Sequence, residues 1–205
     1  MLMKMLWLLI PATLALLRLK TERYLFSALT SLACAAIILP TGSGRALLLS
    51  GLLISVAGDW LLAHQKAVPN AFICGVACFG AGHVLFALYA ARRFVWDPWA
   101  AALTALLAAF YALYLGRGVL PRQPLPMKVA LCGYTLVSLL GLFYALSMGA
   151  GLAERLLYIL GIACIVFSDT MIAEAEFVGH AWARPLILPT YYLCHILIAA
   201  SRLIQ

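Results

Sequence analysis

The chain has 205 residues, of which 66% are hydrophobic and only 10% are charged, and its mean hydropathy is +1.05. Water-soluble domains are about half apolar and about a quarter charged, so this composition excludes a soluble globular protein. The net charge of +7 does not indicate nucleic-acid binding, because the lysines and arginines are scattered between apolar runs and form no basic, aromatic-rich face.

Apolar runs that are long enough for membrane helices follow one another along the chain. A spanning helix needs about 20 mainly apolar residues, and charges, prolines and glycines mark the breaks between runs. The pattern predicts eight transmembrane helices, at about residues 3–17, 24–39, 46–63, 70–91, 98–115, 127–148, 152–173 and 183–203. We therefore expect an all-α integral membrane protein with one transmembrane domain over residues 1–205.

The first run resembles a signal peptide, since Lys4 precedes a short apolar stretch and a basic cluster follows it. No small-x-small cleavage site comes before Arg18, so we interpret this run as a retained first helix. The six cysteines all lie inside apolar runs, which favours packing over disulfides or a cysteine-based zinc site.

Four ionisable residues inside the apolar runs call for explanation, because charges are costly in a bilayer: Asp59, His83, Asp169 and His195. The segment from Gly58 to Ala63 and the segment from Ser168 to Ala173 both read small-Asp-x-apolar-apolar-Ala. Each aspartate is followed by a histidine in the next predicted helix. This echo predicts a parallel four-plus-four internal repeat, since an offset of four helices preserves direction.

The predicted depths of these side chains place them on one side of the bilayer. Both aspartates lie about five residues from the same membrane face, which is roughly 7 Å at 1.5 Å per residue. The histidines lie roughly 15–20 Å inward, near the middle of the bilayer, and Tyr191 falls between the two levels. We expect the two carboxyl groups, Tyr191 and the two imidazoles to line one cavity that opens toward that face.

Several motifs of the chain, taken in order and spacing, carry a resemblance to a known family. They are Gly58-Asp59-x-x-Leu62, Gly80-x-Gly82-His83-x-Leu85-Phe86, Ser168-Asp169 and Tyr191-Tyr192-x-x-His195-x-Leu197-Ile198. Together they resemble the YhhN-like family over about residues 45–203. That family contains the lysoplasmalogenases, which are multi-helix membrane hydrolases.

The resemblance implies cleavage of the vinyl ether bond of a lysoplasmalogen, with a lysophospholipid as substrate, the bilayer as surroundings and no cofactor. A vinyl ether hydrolyses by protonation at carbon and capture of the cation by water, so two carboxyl groups suit the reaction. We expect Asp59 and Asp169 to be catalytic, without deciding which is the acid. The expected substrate-binding or orienting residues are Ser168, His83, Tyr191, Tyr192 and His195.

Three basic residues are predicted on the side of the aspartates and are expected to receive the phosphate head group: Lys66, Lys128 and Arg184. The lack of long loops favours a bacterial cytoplasmic membrane as the location.

Two other functions fit the same residues. A metal-dependent membrane hydrolase would use the two aspartates and two histidines as ligands, a set that suits zinc. The predicted difference in depth between the two residue types speaks against that set. A proton-coupled transporter of lipid or small solutes would use the aspartates as a relay, and duplicated halves fit such a protein.

Overall fold

The computed structural model describes residues 2–204, and within that range eight main helices lie close to the predicted positions. They are α1 (Leu9–Thr21), α2 (Tyr24–Ile38), α3 (Arg45–Ala63), α4 (Ala71–Ala91), α5 (Pro98–Tyr114), α6 (Leu125–Leu146), α7 (Leu152–Ala173) and α8 (Arg184–Leu203). Shorter helical segments adjoin four of them: Leu2–Met5 and Leu6–Leu8 before α1, Leu115–Val119 and Leu120–Arg122 after α5, Glu174–Val178 after α7, and Ala181–Ala183 before α8. The all-helical prediction is confirmed.

Six of the described helices are long and apolar enough to cross a membrane: Arg45–Ala63, Ala71–Ala91, Pro98–Arg122, Leu125–Leu146, Leu152–Val178 and Ala181–Leu203. The helix α2 is apolar but has only 15 residues. At 1.5 Å per residue it is about 22 Å long, against a hydrocarbon core of about 30 Å. The chain is therefore a multi-pass membrane protein by the length and composition of its helices.

Local sequence explains where two of the helices begin. The carboxylate of Asp97 accepts hydrogen bonds from the backbone N–H groups of Trp99 (2.9 Å) and Ala100 (3.3 Å), so it caps α5. The helix α6 begins at Leu125, two residues before the predicted start, with Pro126 in its first turn. Proline is tolerated there because the first helical N–H groups have no partner within the helix.

Consecutive helices run in opposite directions across the bundle, so their ends collect at two faces. We call the aspartate face the one at which α1, α3, α5 and α7 end and the even-numbered helices begin. The opposite face is the far face. Because Asp59 and Asp169 lie near the ends of α3 and α7, both sit close to the aspartate face.

Small residues bring neighbouring helices into close contact. A side chain at Gly58 would press on the ring of Phe79, with its first carbon 3.0–3.2 Å from ring atoms. Gly161 of α7 similarly faces Ile198 and the backbone of Cys194 on α8. In a bilayer such close packing stabilises helix pairs, since apolar contact alone gives little advantage over lipid.

A buried charge cluster ties three helices together at the far face. Glu154 at the start of α7 is paired with Arg93, and Arg202 near the end of α8 lies 3.9 Å from the same carboxylate. Arg202 also donates to the hydroxyl of Tyr89 (2.7 Å) and to the backbone carbonyl of Ser43 (3.2 Å). The cluster is well satisfied, which is the condition under which buried charges are tolerated.

Candidate active site

Asp59 lies in the last two turns of α3, in a ring of hydroxyl groups. Its Oδ2 accepts hydrogen bonds from Ser27 Oγ of α2 and from the Tyr191 hydroxyl of α8, each at 3.0 Å. The Tyr192 hydroxyl donates to Ser27 Oγ at 2.8 Å. The guanidinium of Arg18 interacts electrostatically with both the Asp59 carboxylate and the Tyr192 hydroxyl. This carboxylate is therefore well satisfied by polar neighbours.

Asp169 lies in the last two turns of α7, and its surroundings differ from those of Asp59. Its Oδ2 is 2.9 Å from Nε2 of His83 on α4, an ion-pair distance without the alignment of a directional hydrogen bond. The phenol of Tyr134 on α6 also interacts with this carboxylate. The side chain keeps 18% of its surface exposed, whereas His83 keeps 3%.

The two buried histidines are held in the same way. Nδ1 of His195 lies 3.0 Å from Ser31 Oγ on α2, and Nδ1 of His83 lies 3.4 Å from Ser138 Oγ on α6. His195 has no exposed surface. Each imidazole therefore has a serine at Nδ1, and Nε2 of His83 faces the carboxylate of Asp169.

Two of these contacts repeat between the two halves of the chain with an offset of four helices. The contact of Ser31 with His195 matches that of Ser138 with His83, and the contact of Ser27 with Asp59 matches that of Tyr134 with Asp169. The equivalent pairs are Ser27 with Tyr134, Ser31 with Ser138, Asp59 with Asp169, Phe79 with Tyr191 and His83 with His195. The matched contacts are those that a parallel four-plus-four repeat predicts.

A groove of about 490 Å³ runs between α4, α6 and α7, and Asp169 lies on its wall. Apart from Asp169 and Tyr134 its lining is almost entirely apolar, with Ile73, Val84 and Ala130 among the wall residues. Ile73 and Val84 are 59% and 41% exposed, so the groove opens sideways, toward lipid. Asp59 is not among the described residues that line it.

The expectation of one cavity shared by both aspartates is therefore wrong. Phe79 explains the separation, because its ring lines the groove and packs edge-on against Tyr191, with ring centroids 5.7 Å apart. Tyr191 donates to Asp59 on the other side of this contact. The two carboxylates thus belong to two polar clusters on opposite sides of an aromatic pair.

A comparison with family models assigns the chain. The model described as the YhhN family matches residues 22–202, which is most of the chain. The chain belongs to the YhhN family. A search of the curated proteins found no match, and a search of the solved structures found none either. The YhhN match includes both aspartate clusters, with Arg18 just before its first residue.

The other predicted site residues of this YhhN-family chain have different surroundings. Ser168 is buried and donates to the backbone carbonyl of Ile187 at 2.9 Å, so its hydroxyl joins α7 to α8. The ring of Tyr191 packs against that of His195, with ring centroids 4.4 Å apart and ring planes tilted by 59°. Tyr192 contacts the Asp59 cluster through Ser27.

The three predicted head-group residues lie at the aspartate face. Lys66 is in the turn between α3 and α4, Lys128 is in the first turn of α6, and Arg184 is the first residue of α8. Lys128 directly follows Met127, which lines the groove. Arg184 lies 3.9 Å from Glu176, and both side chains are largely exposed. Lys128 is thus the basic residue placed nearest in sequence to the groove wall.

Sequence reasoning missed five residues of the two clusters: Arg18, Ser27, Ser31, Tyr134 and Ser138. Four of them form pairs that are one helical turn apart, Ser27 with Ser31 on α2 and Tyr134 with Ser138 on α6. Residues four apart share a helix face, so this spacing was the available signal.

The two aspartates and two histidines of this YhhN-family chain do not come together as the ligands of one metal ion would. Within residues 2–204, no three histidine, cysteine, aspartate or glutamate side chains come together closely enough to hold a metal ion. Asp59 bonds to hydroxyls and His195 bonds to Ser31, away from Asp169. The geometry favours acid–base chemistry over the four-ligand metal set.

Proposed function

We propose that this YhhN-family chain hydrolyses the vinyl ether bond of a lysoplasmalogen. The products are a fatty aldehyde and a glycerophosphoethanolamine or glycerophosphocholine. The observation that carries the proposal is the position of Asp169, a carboxyl group on the wall of an otherwise apolar groove that opens to lipid. A lipid with one hydrocarbon chain and a polar head has the same division into an apolar part and a reactive polar part.

The groove supports a defined position for the substrate. The hydrocarbon chain lies along the apolar walls formed by α4, α6 and α7, in surroundings as apolar as the bilayer from which it enters. The vinyl ether then lies beside Asp169. The head group reaches the aspartate face, where Lys128 follows the groove wall and Lys66 and Arg184 lie at the same face.

Asp169 acts as the general acid in this proposal. It transfers its proton to the outer alkene carbon, and the ether oxygen stabilises the resulting oxocarbenium ion. The carboxylate that remains lies next to this cation and stabilises it electrostatically. His83, at 2.9 Å from Oδ2, is placed to exchange a proton with Asp169 between turnovers.

Water then captures the cation, and the hemiacetal collapses to the aldehyde and the glycerol hydroxyl. Asp59 is the second carboxyl group of the proposal and lies on the other side of the Phe79–Tyr191 pair. It holds the Tyr191 hydroxyl and, through Ser27, the Tyr192 hydroxyl. We assign Asp59 to the side of the site from which water arrives, where its hydrogen bonds hold the two tyrosine hydroxyls in place. The proton that the water loses passes to the carboxylate of Asp169, which restores the acid.

The deciding experiment measures aldehyde release from a lysoplasmalogen by the purified protein in detergent. The wild type should release aldehyde, and Asp169→Asn should release almost none. A saturated alkyl ether of the same chain length and head group is the matched control substrate, because it cannot be protonated at carbon. Absence of aldehyde from a well-folded wild type, or equal hydrolysis of both lipids, would contradict the proposal.

A further inference from the structure

A second, smaller cavity adjoins Asp169, between α5, α6 and α7. Its volume is about 50 Å³, against about 490 Å³ for the groove. Asp169 and Tyr134 are among the residues that line both spaces, whereas α4 contributes walls to the groove and α5 contributes walls to the small cavity. Asp169 therefore borders two spaces, of which the proposed function uses only the larger.

The walls of the small cavity are three helix faces that carry polar side chains. Residues three, four and seven apart lie on one face of a helix, and the lining follows this spacing on all three helices. The lining residues are Tyr111, Tyr114 and Leu115 of α5, Leu131, Tyr134, Thr135 and Ser138 of α6, and Val166, Asp169, Thr170 and Ala173 of α7. Seven of these eleven side chains carry a polar atom, so the cavity suits a small polar group.

Several of these polar atoms are already engaged. Thr170 donates to the backbone carbonyl of Val166 at 2.8 Å, so the Tyr111 hydroxyl, 2.7 Å from the Thr170 oxygen, donates to Thr170. Ser138 lies 3.4 Å from Nδ1 of His83. The oxygen of Tyr111 keeps its lone pairs, because its proton is the one used toward Thr170.

The hydroxyl of Thr135 differs from these groups. A threonine inside a helix commonly donates to the carbonyl four residues before it, as four others in this chain do: Thr21, Thr30, Thr170 and Thr190. Thr135 makes no such bond and has no other hydrogen-bond partner within residues 2–204. Its side chain is half-buried and its oxygen is not among the fully enclosed unpaired atoms, so a ligand can reach it.

The size of the cavity limits what it can hold beside Asp169. A water-sized group needs about 10–15 Å³ of such space, so the cavity takes a hydroxyl group but no hydrocarbon chain. A lysoplasmalogen carries a hydroxyl at the sn-2 position, on the carbon next to the one that bears the vinyl ether oxygen. With the vinyl ether beside Asp169, this hydroxyl lies close to the second space that Asp169 borders.

We propose that the small cavity receives the sn-2 hydroxyl of the substrate and that Thr135 binds it. This inference rests on the proposed function. The Thr135 hydroxyl donates to the substrate oxygen, and the lone pairs of Tyr111 are available for the substrate proton. Thr135 thus determines specificity for lipids with a free sn-2 hydroxyl, because a second hydrocarbon chain at that position exceeds the space.

Two substrates with the same vinyl ether chain and head group test the inference. One has the sn-2 hydroxyl, and the other has a hydrogen atom in its place. The wild type should favour the hydroxyl substrate about tenfold in kcat/KM for aldehyde release, equivalent to about 1.4 kcal/mol, which is the size of one hydrogen bond.

Thr135→Val keeps the shape of the side chain and removes its hydroxyl. It should lower kcat/KM for the hydroxyl substrate about tenfold and leave that for the deoxy substrate unchanged, so that the preference disappears. Thr135→Ser keeps a hydroxyl and should keep the preference. The ratio of the two substrates is measured on one protein sample, so a smaller folded fraction in a variant does not alter it.

Thr21→Val is the matched control, because the same exchange is made at the end of α1, where the Thr21 hydroxyl donates to the Leu17 carbonyl at 2.7 Å. This variant should keep the preference of the wild type.

Two results would overturn the inference while leaving the proposed function intact. One is equal hydrolysis of both substrates by the wild type, and the other is a preference that persists in Thr135→Val, whatever its absolute rate. Failure of the proposed function is different, because the wild type would then release aldehyde from neither substrate.

Discussion

The two halves of the molecule place an aspartate, a histidine and a serine at equivalent positions but surround the aspartates differently. In the first half, Asp59 accepts from two hydroxyls. In the second half, Asp169 contacts His83 and Tyr134 and faces an apolar groove. The residue equivalent to Tyr191 is Phe79, which has no hydroxyl to offer. One carboxylate is thus enclosed by donors, while the other is left available to a ligand.

This difference teaches how a duplicated scaffold can divide two tasks between equivalent residues. The satisfied carboxylate contributes to the order of its surroundings, since hydrogen bonds fix Ser27, Tyr191 and Tyr192. The incompletely satisfied carboxylate retains capacity for chemistry, as is typical of functional sites. Variants of the two halves should therefore have different effects.

The largest expected contrast is between the aspartates themselves. Asp169→Asn should lower kcat for aldehyde release by about 10³-fold, since it removes the general acid. Asp59→Asn should lower it by about 10- to 100-fold, because the amide keeps the size but disturbs the hydroxyl cluster. Steady-state kinetics on both variants tests the order, and a larger loss in Asp59→Asn would reverse the roles of the halves.

The groove gives the next contrast. A first side-chain carbon added at Gly133 would meet no heavy atom within 4 Å, so there is open space beside this position. Gly133→Leu should occupy part of the groove and raise KM for a long-chain substrate by about tenfold, equivalent to about 1.4 kcal/mol. Gly133→Ala is the matched control and should change KM little. An unchanged KM in the leucine variant would place the substrate elsewhere.

Removing one hydroxyl from each aspartate cluster should separate stability from activity. Tyr191→Phe takes a donor from Asp59 and should lower the free energy of unfolding by about 1–2 kcal/mol, with a small effect on turnover. Tyr134→Phe acts at Asp169 and should lower turnover more than stability. Thermal unfolding in detergent and aldehyde release should be measured on both variants. The same pattern in both would mean that the two aspartate clusters are not specialised.

The smallest expected effect concerns Asp97, which lies at the far face, outside both clusters. The hydrogen bond from the Ala100 backbone N–H, followed by that from Trp99 and the contact with Arg155, holds the pKa of Asp97 below its usual value. A lowered folded-state pKa stabilises the fold above the unfolded pKa of about 3.9, and this stabilisation is lost as the pH falls below that value.

The Tm of the wild type should therefore slightly exceed that of Asp97→Asn at about pH 6, and the gap should close toward about pH 2. Turnover near neutral pH should be the same for both proteins. A gap that widens in acid would show that the capping carboxylate is not the cause.

The helices were predictable from the sequence because apolar runs and their breaks directly reflect the membrane. The repeat was visible in the matching segments around Asp59 and Asp169, and its helical offset agrees with the contacts. The start of α6 was placed too late, because Pro126 was treated as a break although proline fits the first turn of a helix.

The site was predictable only in part. The aspartates and histidines stand out because charge is rare in apolar helices, whereas Ser27 and Ser31 do not, since serine is common there. The separation of the aspartates depends on how the rings of Phe79 and Tyr191 pack, which spacing along the chain does not encode. The groove likewise depends on two glycines that line it from neighbouring helices, Gly80 on α4 and Gly133 on α6.

The sideways opening of the groove has a consequence for the products of the proposed reaction. A fatty aldehyde released through that opening enters the hydrocarbon phase directly, while the water-soluble glycerophospho compound departs through the aspartate face. The two fragments thus partition into different solvents as soon as they separate. Because the two products are in different phases, they rarely encounter each other again. The arrangement therefore favours hydrolysis over the reverse reaction and needs no conformational change to do so.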